Sequence, residues 1–171
     1  NVSNPFALVI PGTATPNPAS IVIGAESYTS MSGVQKQNTT DAGGGQNVGY
    51  IDSNDWMAYN NAAFNVPTDG RYKVTYRVAS LNGGGRLSLR ELSNDSALGS
   101  VVIPKTSGWQ NWVDVTQEVT LTGGTHNFKL LAEAGGFNIN WFKVEPVVAS
   151  SMSLADVMPP MKLSLAEGVM V

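Results

Sequence analysis

At 171 residues the chain is long enough for one hydrophobic core and short for two. Charged residues make up 13%, about half the usual share, and the formal net charge is -3, so there is no basic footprint for nucleic acid or for an anionic membrane surface. Cysteine is absent and His126 is the one histidine, which excludes a disulfide framework, a thiolate metal site and a histidine cluster for zinc.

Asn1 stands where Met would open a full-length chain, as expected of a mature or excised piece of a longer protein. Apolar runs such as 6–10 are far too short to cross a bilayer. Residues 11–20 hold three prolines among small polar residues, so 1–20 is expected to be a linker, with the folded unit beginning at Ile21. From there short runs rich in β-branched and aromatic residues recur between turn signals, over 21–23, 48–51, 56–59, 72–78, 86–92, 99–103, 112–115, 118–121, 126–132 and 138–144. Several alternate in polarity, most plainly Tyr72-Lys73-Val74-Thr75-Tyr76-Arg77-Val78, and no stretch shows a convincing period of 3.6. Asp69-Gly70 and Gly123-Gly124 precede strands, where tight turns use positive φ. The pattern predicts an all-β domain over 21–148, two antiparallel sheets packed as a jelly-roll β-sandwich. The tail over 149–171 is rich in Met and broken by Pro159-Pro160. It reads as a linker or tail, with docking on the sandwich as the competing reading.

Candidate functional residues cluster around glycines. Gly43-Gly44-Gly45 leads into Tyr50 on a short apolar strand, Ser107-Gly108 leads into Trp109-Gln110-Asn111-Trp112, and Gly135-Gly136 leads into Phe137-Asn138-Ile139-Asn140-Trp141. An aromatic ring with a nearby amide, at a glycine-shaped loop edge, suits a flat neutral ligand and reads as sugar binding. The triple glycine lacks the Gly-Lys-Ser/Thr and the helix that a phosphate loop requires. Trp112 and Trp141 fall at strand positions expected to face the core. His126 has no evident acid or serine partner and is expected at a turn or on the surface.

Ala25-Glu26-Ser27-Tyr28, Gly33-Val34-Gln35, Thr39-Thr40-Asp41, the run from Gly43 to Trp56, Tyr76-Arg77-Val78-Ala79-Ser80, Gly108-Trp109-Gln110-Asn111-Trp112 and Gly135-Gly136-Phe137-Asn138-Ile139-Asn140-Trp141 together resemble, in order, the carbohydrate-binding modules of family 6. The resemblance implies a noncatalytic, galactose-binding-like jelly roll, tethered to a secreted polysaccharide-degrading enzyme. By the same resemblance Tyr50 and Trp109 sandwich one pyranose ring, Asn138 hydrogen-bonds its hydroxyls, and Gln37 and Thr40 flank the cleft. A second cleft on the concave sheet face would centre on Trp56, with Arg90 and Leu131 nearby. A structural calcium is implied at Glu26, with Glu145 as a further candidate ligand and backbone carbonyls completing an oxygen shell.

The expected role is a secreted, extracellular and monomeric module that anchors a covalently linked glycoside hydrolase to polysaccharide, with β-glucans including β-1,3-glucan, agar-type galactan and xylan as candidate ligands. Two other classes compete. A protein-interaction or adhesion sandwich needs a large apolar patch. A small glycosidase domain needs two carboxylates facing one bond, for which only Asp41, Asp52 and Asp55 cluster suitably, in a turn-like Asp-x-x-Asp setting.

Overall fold

A computed structural model describes residues 20–147. The expected linker, save Ser20, and the expected tail lie outside the described residues. The strands run in chain order as β1 (Ile21–Gly24), β2 (Ser30–Ser32), β3 (Gln35–Asn38), β4 (Gln46–Gly49), β5 (Trp56–Val66), β6 (Gly70–Ala79), β7 (Arg86–Glu91), β8 (Ala97–Val102), β9 (Val113–Leu121), β10 (Gly124–Ala134) and β11 (Asn138–Pro146). A single 3-10 turn, Ala25–Ser27, is the helical element among the described residues.

All pairings are antiparallel and form two sheets, one ordered β3-β4-β11-β6-β9 and the other β2-β5-β10-β7-β8. β1 and β4 share one side of β11, β4 meeting it at Ile139 and β1 from Trp141 to Val144. Alternation along the long strands makes the core: Tyr72, Val74, Tyr76 and Val78 of β6 and His126, Phe128, Leu130 and Ala132 of β10 are all buried. Aromatic rings cross between the sheets, with Tyr59 and Phe142 at 5.1 Å, Phe64 and Tyr72 at 5.6 Å, and Phe128 and Phe142 at 6.3 Å, in edge-on geometry. Such pairs contribute about 0.5–1.5 kcal/mol each beyond area burial.

The predicted all-β sandwich is therefore the observed fold, and its departures from expectation have local causes. β2 and β3 are edge strands of polar sequence and carry no apolar alternation to read. β5 continues past residue 59 because residues 60–63 bulge out between Tyr59, opposite Phe128, and Phe64, opposite His126. The runs 112–115, save Trp112, and 118–121 belong to the single strand β9. Of the turn glycines at 70, 123 and 124, only Gly124 has positive φ.

Trp112 and Trp141 are half-buried and lie outside the core, contrary to expectation. Trp141 is displaced by a bulge between Ile139 and Trp141 that shifts the phase of β11 by one residue. Phe142 and Val144 take the inward positions, and Trp141 pairs with Arg77 on the outer face. Trp112 precedes β9, and its buried Nε1 has no hydrogen-bond partner.

Candidate functional site

Strand β3 and three connections meet at one edge of the sandwich: the loop from β4 to β5, the loop from β8 to β9, and the turn from β10 into β11. Between them lies a cleft of about 560 Å³ lined by Gln37, Tyr50, Ile51, Asp52, Trp109, Gln110, Gly136, Phe137 and Asn138. Four of the five expected sugar contacts, Tyr50, Trp109, Asn138 and Gln37, are brought together here. Thr40 is not in the lining; its backbone N–H donates instead to Gln110 Oε1 at 2.9 Å.

Tyr50 does not sit on a strand. It follows β4 in the left-handed region at φ 54, a conformation that costs a bulky residue about 1 kcal/mol or more and holds its ring 64% exposed. Trp109 follows Ser107, another residue of positive φ, and is 45% exposed. These two are large rings left facing water in a chain that buries most of its other aromatics. Asn138 is the opposite case: buried at 3% exposure, it donates from Nδ2 to the Trp109 carbonyl at 2.6 Å. That bond leaves its second N–H and its carbonyl oxygen for a ligand. Gly49 shapes the same floor, since a Cβ there would lie 2.7 Å from Asn138 Oδ1 and 2.8 Å from Gln37 Nε2.

The approach of the glycine loop is fixed from behind. Asp41 accepts from Arg77 Nε at 2.9 Å and Nη2 at 2.7 Å and from Asn140 Nδ2 at 2.8 Å, while Arg77 Nη1 also donates to Asp114 at 3.1 Å. The Arg77 guanidinium holds the Asp41 carboxyl at about 2, well below the usual carboxylate range. Gly43, Gly44 and Gly45 then turn with φ of 95, 66 and 89.

The carboxylates do not assemble an acid-base pair. Asp41 is ionised and committed to Arg77, and Asp55 caps its own turn, accepting from the Asp52 N–H at 2.8 Å. Hydrolysis of a glycosidic bond needs one carboxyl with raised pKa facing another, which Asp41 cannot supply.

Trp56 and Arg90 share the outer face of the five-stranded sheet, on either side of β10, with Leu131 opposite Trp56 and Lys129 opposite Arg90. The Lys129 ammonium lies 5.2 Å from the Trp56 ring centroid, and Lys129 and Arg90 both reach Asp95 Oδ1 at 3.0 Å. Glu26 lies in the 3-10 turn with its buried Oε2 unpartnered, an oxygen that fits a cation ligand. Glu145 does not fit that donor set: Lys73 contacts it at 2.6 Å, Lys143 pairs with its other oxygen, and the two lysines lower its pKa, Lys143 foremost.

His126 is buried, not at a turn or on the surface, and has the acid partner that its local sequence does not show. Its Nδ1 lies 2.6 Å from Glu91 Oε2 and its Nε2 2.8 Å from the Thr122 carbonyl. The partner arrives from β7, 35 residues away, and lies outside the cleft. Ile51, Asp52, Gln110, Gly136 and Phe137 are lining residues that sequence reasoning did not assign. The motif Gly108-Trp109-Gln110-Asn111-Trp112 contained the signal for Gln110.

A jelly-roll sandwich with two exposed aromatics and a buried amide at one loop edge is the build of a noncatalytic sugar-binding module. The family model for "Carbohydrate binding module (family 6)" matches residues 24–146, and the chain belongs to that family. A solved carbohydrate-binding module from Cellvibrio mixtus lichenase 5A, in complex with cellotriose, is 44% identical with a TM-score of 0.73, covering 75% of this chain and 98% of that one. A β-1,3-glucan-binding family 6 module from Bacillus halodurans is 37% identical with a TM-score of 0.64, over 71% of this chain and 92% of that one. The clotting factor G alpha subunit of Tachypleus tridentatus is 39% identical over 130 residues, which are 76% of this chain and 19% of that protein. The chain thus spans about a fifth of the curated relatives it matches.

Proposed function

We propose that the cleft grips one pyranose ring, at a chain end, between Tyr50 and Trp109, with Asn138 and Gln37 reading its hydroxyls. The carrying observation is that the two exposed rings line one cleft over a buried amide. Polarised sugar C–H bonds pack on the ring faces, and the amides set orientation. Among the candidate ligands, β-glucan is best supported, ahead of xylan and agar-type galactan, because modules 44% and 37% identical are, respectively, in complex with cellotriose and β-1,3-glucan binding, whereas the module in complex with xylose is 33% identical. In the whole protein the module, secreted and monomeric, tethers a glycoside hydrolase to its polysaccharide and raises local substrate concentration. Calorimetry of the domain against β-1,3-gluco-, cello- and xylo-oligosaccharides tests this. Binding of a short oligosaccharide about as tightly as a long one supports the chain-end grip, and indifference to all three overturns the reading.

Glu26 would hold a structural calcium, with backbone carbonyls as the other ligands and no part for Glu145. Such an ion ties the 3-10 turn after β1 to the sandwich, outside the lining of the cleft. Chelation is expected to lower the melting temperature by about 5 °C, roughly 1–2 kcal/mol, and to leave sugar affinity unchanged. Identical melting curves with and without chelator would remove the ion.

A further inference from the structure

Gln110 lines the cleft, yet its side chain is spent largely on the protein. Its Oε1 accepts from the Thr40 N–H at 2.9 Å and from the hydroxyls of Thr39 at 3.3 Å and Thr40 at 3.4 Å. Its Nε2 donates to Asn47 Oδ1 at 3.1 Å. An amide oxygen has two lone pairs, so three donors saturate it and leave no acceptor for a sugar. Asn47 is itself fully buried in β4, with Nδ2 on the Val48 carbonyl.

These partners have particular places. Thr39 and Thr40 enter the glycine loop, Asn47 leaves it three residues before Tyr50, and Gln110 directly follows Trp109. Apart from these contacts and the Asp41 pairing with Arg77 and Asn140, the side-chain positions at the tip of the loop face open space, since nothing lies within 4 Å of the Cβ positions at Gly43, Gly44 or Gly45. The Trp109 backbone is held on its other side by Asn138, through its carbonyl.

We infer that Gln110 is a positioning residue, a clasp that fixes the Trp109 wall of the cleft against the Tyr50 wall before any sugar arrives. This rests on the reading that Tyr50 and Trp109 grip the ligand. A pre-set gap between two rings spares the ordering cost that two mobile loops would incur on binding. Both ends clasp: Oε1 holds the start of the glycine loop, and Nε2 holds Asn47 on β4, the strand that leads into Tyr50.

The test compares wild type, Gln110→Ala and Gln110→Glu by amide hydrogen exchange without ligand and by calorimetry with the oligosaccharide the wild type binds. In Gln110→Ala the Thr40 amide is expected to exchange about tenfold faster and affinity to fall about tenfold, in a domain that stays folded but melts lower because buried Asn47 Oδ1 loses its donor. Gln110→Glu keeps an acceptor for Thr40 but removes the donor to buried Asn47 Oδ1, so it is expected to restore slow Thr40 exchange and only part of the affinity. Wild-type affinity in folded Gln110→Ala would overturn the clasp. So would Thr40 exchange in Gln110→Ala as slow as in the wild type, since Gln110 Oε1 would then not be what holds the start of the glycine loop. Undiminished binding by Trp109→Ala would sink the grip itself, and the Thr40 exchange would still report on the clasp, being read without ligand.

Discussion

The loop-edge cleft and the outer face of the five-stranded sheet each present aromatic surface, and they differ in what already occupies it. Tyr50 and Trp109 show open ring faces in a lining that contains no lysine or arginine. The Trp56 face carries the Lys129 ammonium, itself tied with Arg90 to Asp95. A cation over an indole takes the electron-rich face that a sugar would use. Aromatic residues alone therefore do not define a sugar site; an uncovered face beside amides with spare hydrogen-bonding capacity does.

The sharpest way to break that contrast is to remove the exposed rings. Trp109→Ala is expected to abolish measurable binding and Tyr50→Ala to weaken it strongly, each costing about 2 kcal/mol or more, as buried anchors do. Asn138→Ala should cost a comparable amount, because it strips both the Trp109 carbonyl and the sugar of a donor. Calorimetry on variants checked by circular dichroism decides, and full affinity in folded Trp109→Ala would move the site elsewhere.

A gentler probe fills the floor of the cleft. Gly49→Ala places a methyl where Asn138 and Gln37 converge, so both amides must shift. Affinity should fall by about 1–2 kcal/mol, with a folded domain. An unchanged dissociation constant would show that the two amides do not act on one ligand.

The anchoring behind the glycine loop can be tested through pH. Asp41 has a depressed pKa in the fold, so its pairing with Arg77 contributes fully above about pH 4 and is lost as pH falls through about 2. Asp41→Asn should cost on the order of 1–2 kcal/mol of stability at pH 7, and the gap to wild type should close on acidification toward pH 2. Denaturant titrations across that range provide the measurement, and a gap that stays constant with pH would refute the assignment. The smallest effect is expected from Trp56→Ala, below about 0.5 kcal/mol in sugar affinity. A loss there larger than in Trp109→Ala would reverse the comparison between the two faces.

By itself the sequence determined what depends on neighbours along the chain. Alternation within β6 and β10 marked the inward faces, because side chains on a strand point to opposite sides every second residue. The glycines near Tyr50, Trp109 and Asn138 marked the loop edge, where Gly136 takes positive φ and Gly49 has no room for a side chain. Three-dimensional structure alone decided what depends on register and on partners far apart. Trp141 left the core through a one-residue bulge at Asn140 that no local composition announces. His126 found Glu91, Asp41 found Arg77, and Gln110 found Thr40 across 35, 36 and 70 residues. A polar side chain in isolation carries no mark of its partner. The partner is chosen when the strands take their register, since a buried donor or acceptor must then be paired with whatever the sheet brings beside it.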